Sequence, residues 1–165
     1  MLKVSRFNST TYGELREDEN ATGQAVAALF LASLSYAIGF TLFTEPFALY
    51  SLLVGIMSRL LLSMLAGLVW AGAAFLVGTK LFRGKANFWQ VARPIFFSAT
   101  PGVFFVLIAI PVELVTKTVA IAVFVWVIAG GVVALKNSMG FGYDRSMLTY
   151  IVWFLIGIFV AGFFI

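Results

Sequence analysis

Seven carboxylates, eleven basic residues and five tyrosines carry all the side-chain ionisable chemistry of this 165-residue chain, which has no His and no Cys. Thiol catalysis, disulfides, axial histidine ligation of haem and the usual zinc sites are therefore excluded. Four of the carboxylates, Glu14, Glu17, Asp18 and Glu19, crowd together. They read as solvated charge at a helix start, where the dipole favours it, ahead of a divalent-metal or partner-docking patch. Asp144-Arg145 reads as a turn pair with no nucleophile or base beside it. Ser98 and Thr100 flank the region of Pro101 and suit bonds to the carbonyls that a proline frees, since no base accompanies them for nucleophilic catalysis. No catalytic residue, no metal site and no cofactor of the chain's own is expected.

The elements that hold these residues follow from composition. Hydrophobic residues make up 62% of the chain, charged residues 11%, and the mean hydropathy is +1.04. A soluble domain is about 45–50% apolar and about 25% charged, so this chain lacks the polar surface that water requires. It is expected to be an all-α integral membrane protein. The net charge of +4 comes from basic residues spread between apolar blocks rather than gathered in a stripe. They suit topology and lipid-headgroup contact, and no nucleic-acid partner is expected.

A bilayer core of roughly 30 Å takes about 20 helical residues. Residues 1–20 are too polar to insert and show no apolar signal region, which predicts a cytoplasmic N-terminal segment. A short interfacial helix there would place Leu2, Val4, Phe7 and Leu15 toward lipid. Thr11 and Glu14 have capping-box spacing, and Asp18 is placed to cap the next helical segment. Residues 21–165 then form one transmembrane domain with spans at about 21–43, 60–79, 95–110, 115–135 and 147–165. Thr44-Glu45-Pro46 closes the first span. A lone Arg59 at the bilayer centre costs roughly 3 kcal/mol, so it is placed at the far interface, with 47–58 lying along the surface or extending the helix. Pro101 predicts a kink inside the third span and Pro111 its end. Glu113 and Lys117 are one turn apart and pair across it. Five spans sort Lys3, Arg6, Arg16, Lys80, Arg83, Lys85, Arg93, Lys136 and Arg145 to one side, and Arg59 and Lys117 to the other. By the positive-inside bias the N-terminus is cytoplasmic and Ile165 lies at the opposite face.

Two sets of residues stand out as contact surfaces. Lys80, Arg83, Lys85, Phe88, Trp89 and Arg93 alternate charge with aromatics just before the third span, which predicts a short amphipathic interfacial stretch in contact with lipid. Small residues at one-turn spacing, Gly67 with Ala71, Ala74 with Gly78 and Gly157 with Ala161, together with Gly130-Gly131, predict faces where helices approach closely in lipid. Packing within the chain is favoured there over a dimer seam.

Two stretches carry a family resemblance. Tyr12-Gly13-Glu14-Leu15-Arg16-Glu17-Asp18-Glu19-Asn20-Ala21-Thr22-Gly23-Gln24-Ala25 resembles the start of the first span in prokaryotic members of the Ypt-interacting-protein (Yip) membrane family. Gly84-Lys85-Ala86-Asn87-Phe88-Trp89-Gln90-Val91-Ala92-Arg93-Pro94, running on to Pro101, is similar to that family's approach to its third span. The resemblance implies five spans with a cytoplasmic N-terminus and work in membrane traffic and membrane shaping without catalysis. The chain lacks the long cytosolic N-terminal region and the Asp-Leu-Tyr-Gly-Pro-like motif of eukaryotic relatives, so their GTPase partner is not carried over.

The expected function is association within the membrane, as a scaffold or organiser or as an accessory subunit of a larger complex such as a respiratory or photosynthetic one. Its partners would be membrane lipids and other integral membrane proteins met through helix packing, with lipid, quinone or pigment contacts inside such a complex. The expected location is a prokaryotic cell (inner) membrane. The rival reading, a small transporter or channel, has Ser33, Ser35, Tyr36, Thr41 and Arg59 as its polar material.

Overall fold

The computed structural model describes residues 9–45 and 47–162, without the side chains of 9, 153, 154 and 156–162. Among these residues every regular element is helical. The order is α1 (Ser9–Glu17), a 3-10 turn (Glu19–Ala21), α2 (Thr22–Thr44), α3 (Leu49–Leu76), α4 (Phe88–Ser98), a 3-10 segment (Thr100–Ala109), α5 (Glu113–Met139) and α6 (Tyr143–Gly162). Four helical stretches are long and apolar enough to cross a membrane: Glu19–Thr44, Leu49–Leu81, Phe88–Ala109 and Glu113–Met139. The expected fifth span corresponds to α6, a helix of 20 residues, and its last three residues, 163–165, lie outside the described residues.

Helix boundaries follow local chemistry. Asp18 accepts from the Asn20 N–H at 3.0 Å and so caps the 3-10 turn that leads into α2. Thr11 lies inside α1 rather than at its start, so its spacing to Glu14 makes no capping box. Such a box does form at α4, where the Asn87 and Gln90 side chains each accept the other's backbone N–H at 2.8 and 2.9 Å. Glu45 is extended, as a residue before proline prefers to be, and α2 stops one residue earlier. The Glu113–Lys117 pair at the start of α5 is present at 2.6 Å.

Residues 47–58 are expected either to lie along the surface or to extend the second membrane helix, and the helix indeed begins at Leu49. It closes in a π-helical turn over Val77–Leu81, after which Arg83 takes a left-handed conformation, φ 57. The basic aromatic stretch before the third span forms no separate interfacial element. Residues 83–87 are irregular, and Phe88 already opens the helix whose residues Val91–Ser98 are all buried.

The third span changes pitch at Pro101. Thr100 Oγ1 donates to the Phe97 carbonyl at 2.6 Å, the acceptor that a proline at 101 leaves without its N–H, and Ser98 Oγ donates to Ile95 at 2.7 Å. The next ten residues, Thr100–Ala109, are wound as a 3-10 helix. Such runs rarely exceed a few residues, and at about 2.0 Å per residue this one covers roughly 20 Å against about 15 Å for an α-helix. Its far end is closed by Thr116 Oγ1, which lies 3.4 and 3.3 Å from the Ile108 and Ile110 carbonyls.

The core is centred on α4. Val91, Ala92 and Phe96 meet Tyr12 of α1, Ala25 and Ala28 of α2, and Ala134 and Leu135 of α5. α1 is thus part of the packed body, with Tyr12 fully buried and Leu15 packed against the same cluster. Burial pushes the Tyr12 phenol well above the ordinary tyrosine range. Leu2, Val4 and Phe7 lie outside the described residues. The tightest seam runs between α2 and the 3-10 segment: a Cβ on Gly39 would strike the Phe105 carbonyl, and one on Gly102 would come within 2.9 Å of the Ala32 Cβ. Only glycine allows backbones this close, and in lipid such contact replaces the hydrophobic drive.

Candidate functional site

Two arginines mark the two ends of the helical body. Arg93, on the second turn of α4, is 4% exposed. Its Nε donates to Thr22 Oγ1 at 2.9 Å and its Nη1 to the Arg16 carbonyl at 2.8 Å. The Arg16 carbonyl lies in the last turn of α1, where the helix leaves acceptors without intrahelical partners and the dipole is negative. Thr22 Oγ1 in turn donates to the Glu19 carbonyl at 2.8 Å. The guanidinium therefore braces the corner where α1 turns into α2. Neighbouring contacts strengthen this corner: Arg16 Nη2 donates to the Lys85 carbonyl at 3.1 Å, and Gln90 Nε2 lies 3.4 Å from Glu17 Oε2. Arg16 Nε sits 3.2 Å from Glu17 Oε1 but makes no well-directed hydrogen bond.

Arg59, on α3, occupies the other end. It donates from Nη1 to Thr41 Oγ1 at 3.2 Å, and from Nη2 to Thr44 Oγ1 at 2.9 Å and Glu45 Oε1 at 3.1 Å. All three acceptors belong to the end of α2, so the cluster ties α3 to it. Gly55, one turn before Arg59, makes room, since a Cβ there would meet the Thr41 methyl at 2.8 Å and Arg59 Nη1 at 3.0 Å. The Arg59 side chain is 26% exposed, unlike that of Arg93.

Between the ends, α2, α3, the third span, α5 and α6 enclose a lateral cleft of about 1140 Å³. Its wall is apolar except at Ser33, Tyr36, Ser63, Ser98 and Tyr150, with Arg59 at one end. Aromatic pairs stiffen it: Tyr36 and Phe40 have centroids 4.6 Å apart, and Trp70 of α3 meets Tyr150 of α6 edge-on at 4.4 Å. A second recess of about 500 Å³ lies on the outer side of Arg59 and is lined by Glu45, Tyr50, Ser51 and Ser58. Among the described residues no group of three His, Cys, Asp or Glu side chains is placed to hold a metal ion. The chemistry on offer is a paired charge beside hydroxyls, at the mouth of an apolar cleft.

The residues singled out from sequence are divided by the fold. Lys80, Arg83 and Lys85 are exposed around the α3–α4 connection, and Trp89 is exposed on α4. Phe88 is half-buried and meets Phe75 edge-on at 6.2 Å. Arg93 departs from the expected lipid contact, because its position on α4 points it into the protein rather than outward. The small residues sit at contacts inside the chain. Gly67 faces Leu29, Gly78 faces Met139, Gly130 faces Ser98 and Tyr12, and Gly131 faces the Tyr150 hydroxyl. Ala71 is fully buried. Gly157 and Ala161 lie in the part of α6 of which only the backbone is described. The pairing of Arg59 with Glu45 has no signal in spacing, since 14 residues and a change of helix separate them. Nor does any repeat single out Gly39 and Gly102 within their apolar runs.

No curated protein and no solved structure matches the chain. A family does. The Yip1 domain matches residues 3–164, nearly the whole chain. An all-helical body with several helices able to cross a membrane and a family match of that extent lead to one assignment: this chain is a multi-pass membrane protein of the Yip1 domain family.

Proposed function

We propose that this Yip family member acts by association within the membrane, without catalysis, as a scaffold or as an accessory subunit of a larger membrane complex. In this reading α6 is a fifth span, the N-terminus is cytoplasmic and the membrane is a prokaryotic inner membrane. The nine-to-two sorting of basic residues supports that orientation. The observation that carries the reading is the outer face of α3. Leu53, Met57, Leu61, Leu65, Leu68 and Leu76 are all exposed along a helix longer than a bilayer core needs. Such a face offers intramembrane contact to lipid and to helices of a partner, and a respiratory or photosynthetic assembly would bring lipid, quinone or pigment to it.

The test is native-size analysis after mild detergent extraction from the source membrane, with identification of what co-migrates. Migration with a larger membrane complex at fixed stoichiometry is the expected result. Migration as the chain alone or as a small homo-oligomer overturns the subunit reading and leaves membrane shaping to be assayed. A small transporter is the second reading, favoured by Ser33, Tyr36 and Arg59 in the lining of the cleft. Loss of a solute flux in proteoliposomes on Arg59→Ala, with folding retained, would establish it.

A further inference from the structure

The outer recess and the lateral cleft adjoin at Arg59 and Leu62, which line both. The recess, with Glu45, Ser51, Ser58 and Arg59 in its lining, is the more polar of the two and the cleft is apolar, which is the division of an amphiphile. The cleft slightly exceeds the roughly 300–1,000 Å³ of ordinary small-molecule sites, and it opens laterally, since Leu62, Leu65, Phe124 and Leu155 of its wall are exposed on the apolar helices. Three of the five N–H groups of the Arg59 guanidinium are used by Thr41, Thr44 and Glu45, leaving Nε–H and one Nη1–H for a further acceptor. These two donors lie on different edges of the guanidinium, so each offers a single charge-assisted hydrogen bond, which a phosphate oxygen accepts well. The charge at the mouth is not simply positive, however. Glu45 Oε1 lies 3.1 Å from Arg59 Nη2 and its side chain is one-third exposed, so the mouth presents a cation and an anion side by side. A headgroup with phosphate and ammonium on adjacent atoms matches that dipole, whereas a purely anionic headgroup meets the Glu45 carboxylate.

We propose that the cleft binds one zwitterionic phospholipid, its phosphate on Arg59, its ammonium beside Glu45 and its acyl chains along the α3 wall at Trp70. This goes beyond action by association and does not depend on it.

The test uses the full chain in a phosphate-free maltoside detergent, with Trp89, Trp126 and Trp153 replaced by Phe so that Trp70 alone fluoresces. Chain-brominated phosphatidylethanolamine, phosphatidylglycerol and diacylglycerol are titrated as quenchers. Phosphatidylethanolamine is expected to quench saturably, with a midpoint roughly ten-fold below that of diacylglycerol, the effect of about one charge-assisted hydrogen bond, and below that of phosphatidylglycerol. Arg59→Gln brings it to the diacylglycerol level, and Glu45→Gln reverses the order of the two phospholipids. Ala66→Phe, which fills the cleft, weakens quenching by all three. Quenching that does not saturate, equal midpoints for phosphatidylethanolamine and diacylglycerol, or tightest binding of phosphatidylglycerol to the unaltered cleft would each overturn the proposal. Helical circular dichroism checks each variant, and the order of the three lipids on the protein with Arg59 and Glu45 intact decides the matter even if neither charge variant folds.

Discussion

Arg93 and Arg59 are the same residue type in two settings, and the contrast separates a brace from a binding group. Arg93 is sealed between α1, α2 and α4 and donates to a hydroxyl and a carbonyl, both neutral. Arg59 is partly open, paired with a carboxylate and faces two cavities. A buried cation held only by neutral acceptors is costly to create and costly to disturb, because its partners lose their only strong donor. A paired and partly exposed cation contributes little to stability and remains free to meet a ligand.

Removing the guanidinium from each setting should give very different results. Arg93→Ala is expected to cost about 3 kcal/mol in a reversible denaturant titration in mixed micelles, since it opens a cavity and strands the end of α1. Arg93→Lys is expected to recover little of it, because one ammonium does not reach Thr22 and Arg16 in the planar geometry of the fork. Equal stability of Arg93→Ala and the parent chain would show that Arg93 is no brace. Next in size is Gly39→Ala, on the seam between the two ends. Its Cβ meets backbone rather than a movable side chain, so a loss of about 2 kcal/mol is expected, with the third span shifted as read by cross-linking. Asn87→Ala removes the cap of the helix that carries Arg93 and should cost about 1 kcal/mol by the same titration.

At the Arg59 end the expected numbers are smaller. Arg59→Gln should change stability by less than about 1 kcal/mol, with its effect in lipid selectivity instead. A loss as large as that of Arg93→Ala would show that Arg59 is also a brace and erase the contrast. The smallest expected effect has the opposite sign. Arg83 holds a left-handed conformation that glycine adopts without strain, so Arg83→Gly should stabilise by up to about 1 kcal/mol, provided that its charge has no role in folding.

Local chemistry was the legible part of the sequence. Asp18 as a cap, the Glu113–Lys117 pair and the hydroxyls around Pro101 all act within four residues of their partners, so spacing alone specifies them. The small residues Gly67, Gly78, Gly130 and Gly131 announced close contact, although not which neighbour would fill each gap. The roles of Arg93 and of residues 10–20 were not legible. Basic and aromatic alternation before a span describes an interfacial stretch equally well whether its residues meet lipid or another helix of the chain. Only the docking of α1 against α4 and α5 turned Tyr12 and Arg93 inward.

By itself the sequence determined the solvent, because a chain with 62% hydrophobic and 11% charged residues has no water-facing surface to offer. It also determined where apolar helices run, since backbone polar groups in lipid are satisfied only within helices or closed barrels. Tertiary structure alone decided which of two arginines is sealed and which is open, that Glu45 finds Arg59, and that five segments leave a cleft between them. The reason is physical. Insertion depends on composition summed along one segment, whereas burial of a side chain depends on the face that another segment covers, and in lipid that choice is made by shape rather than by hydrophobicity.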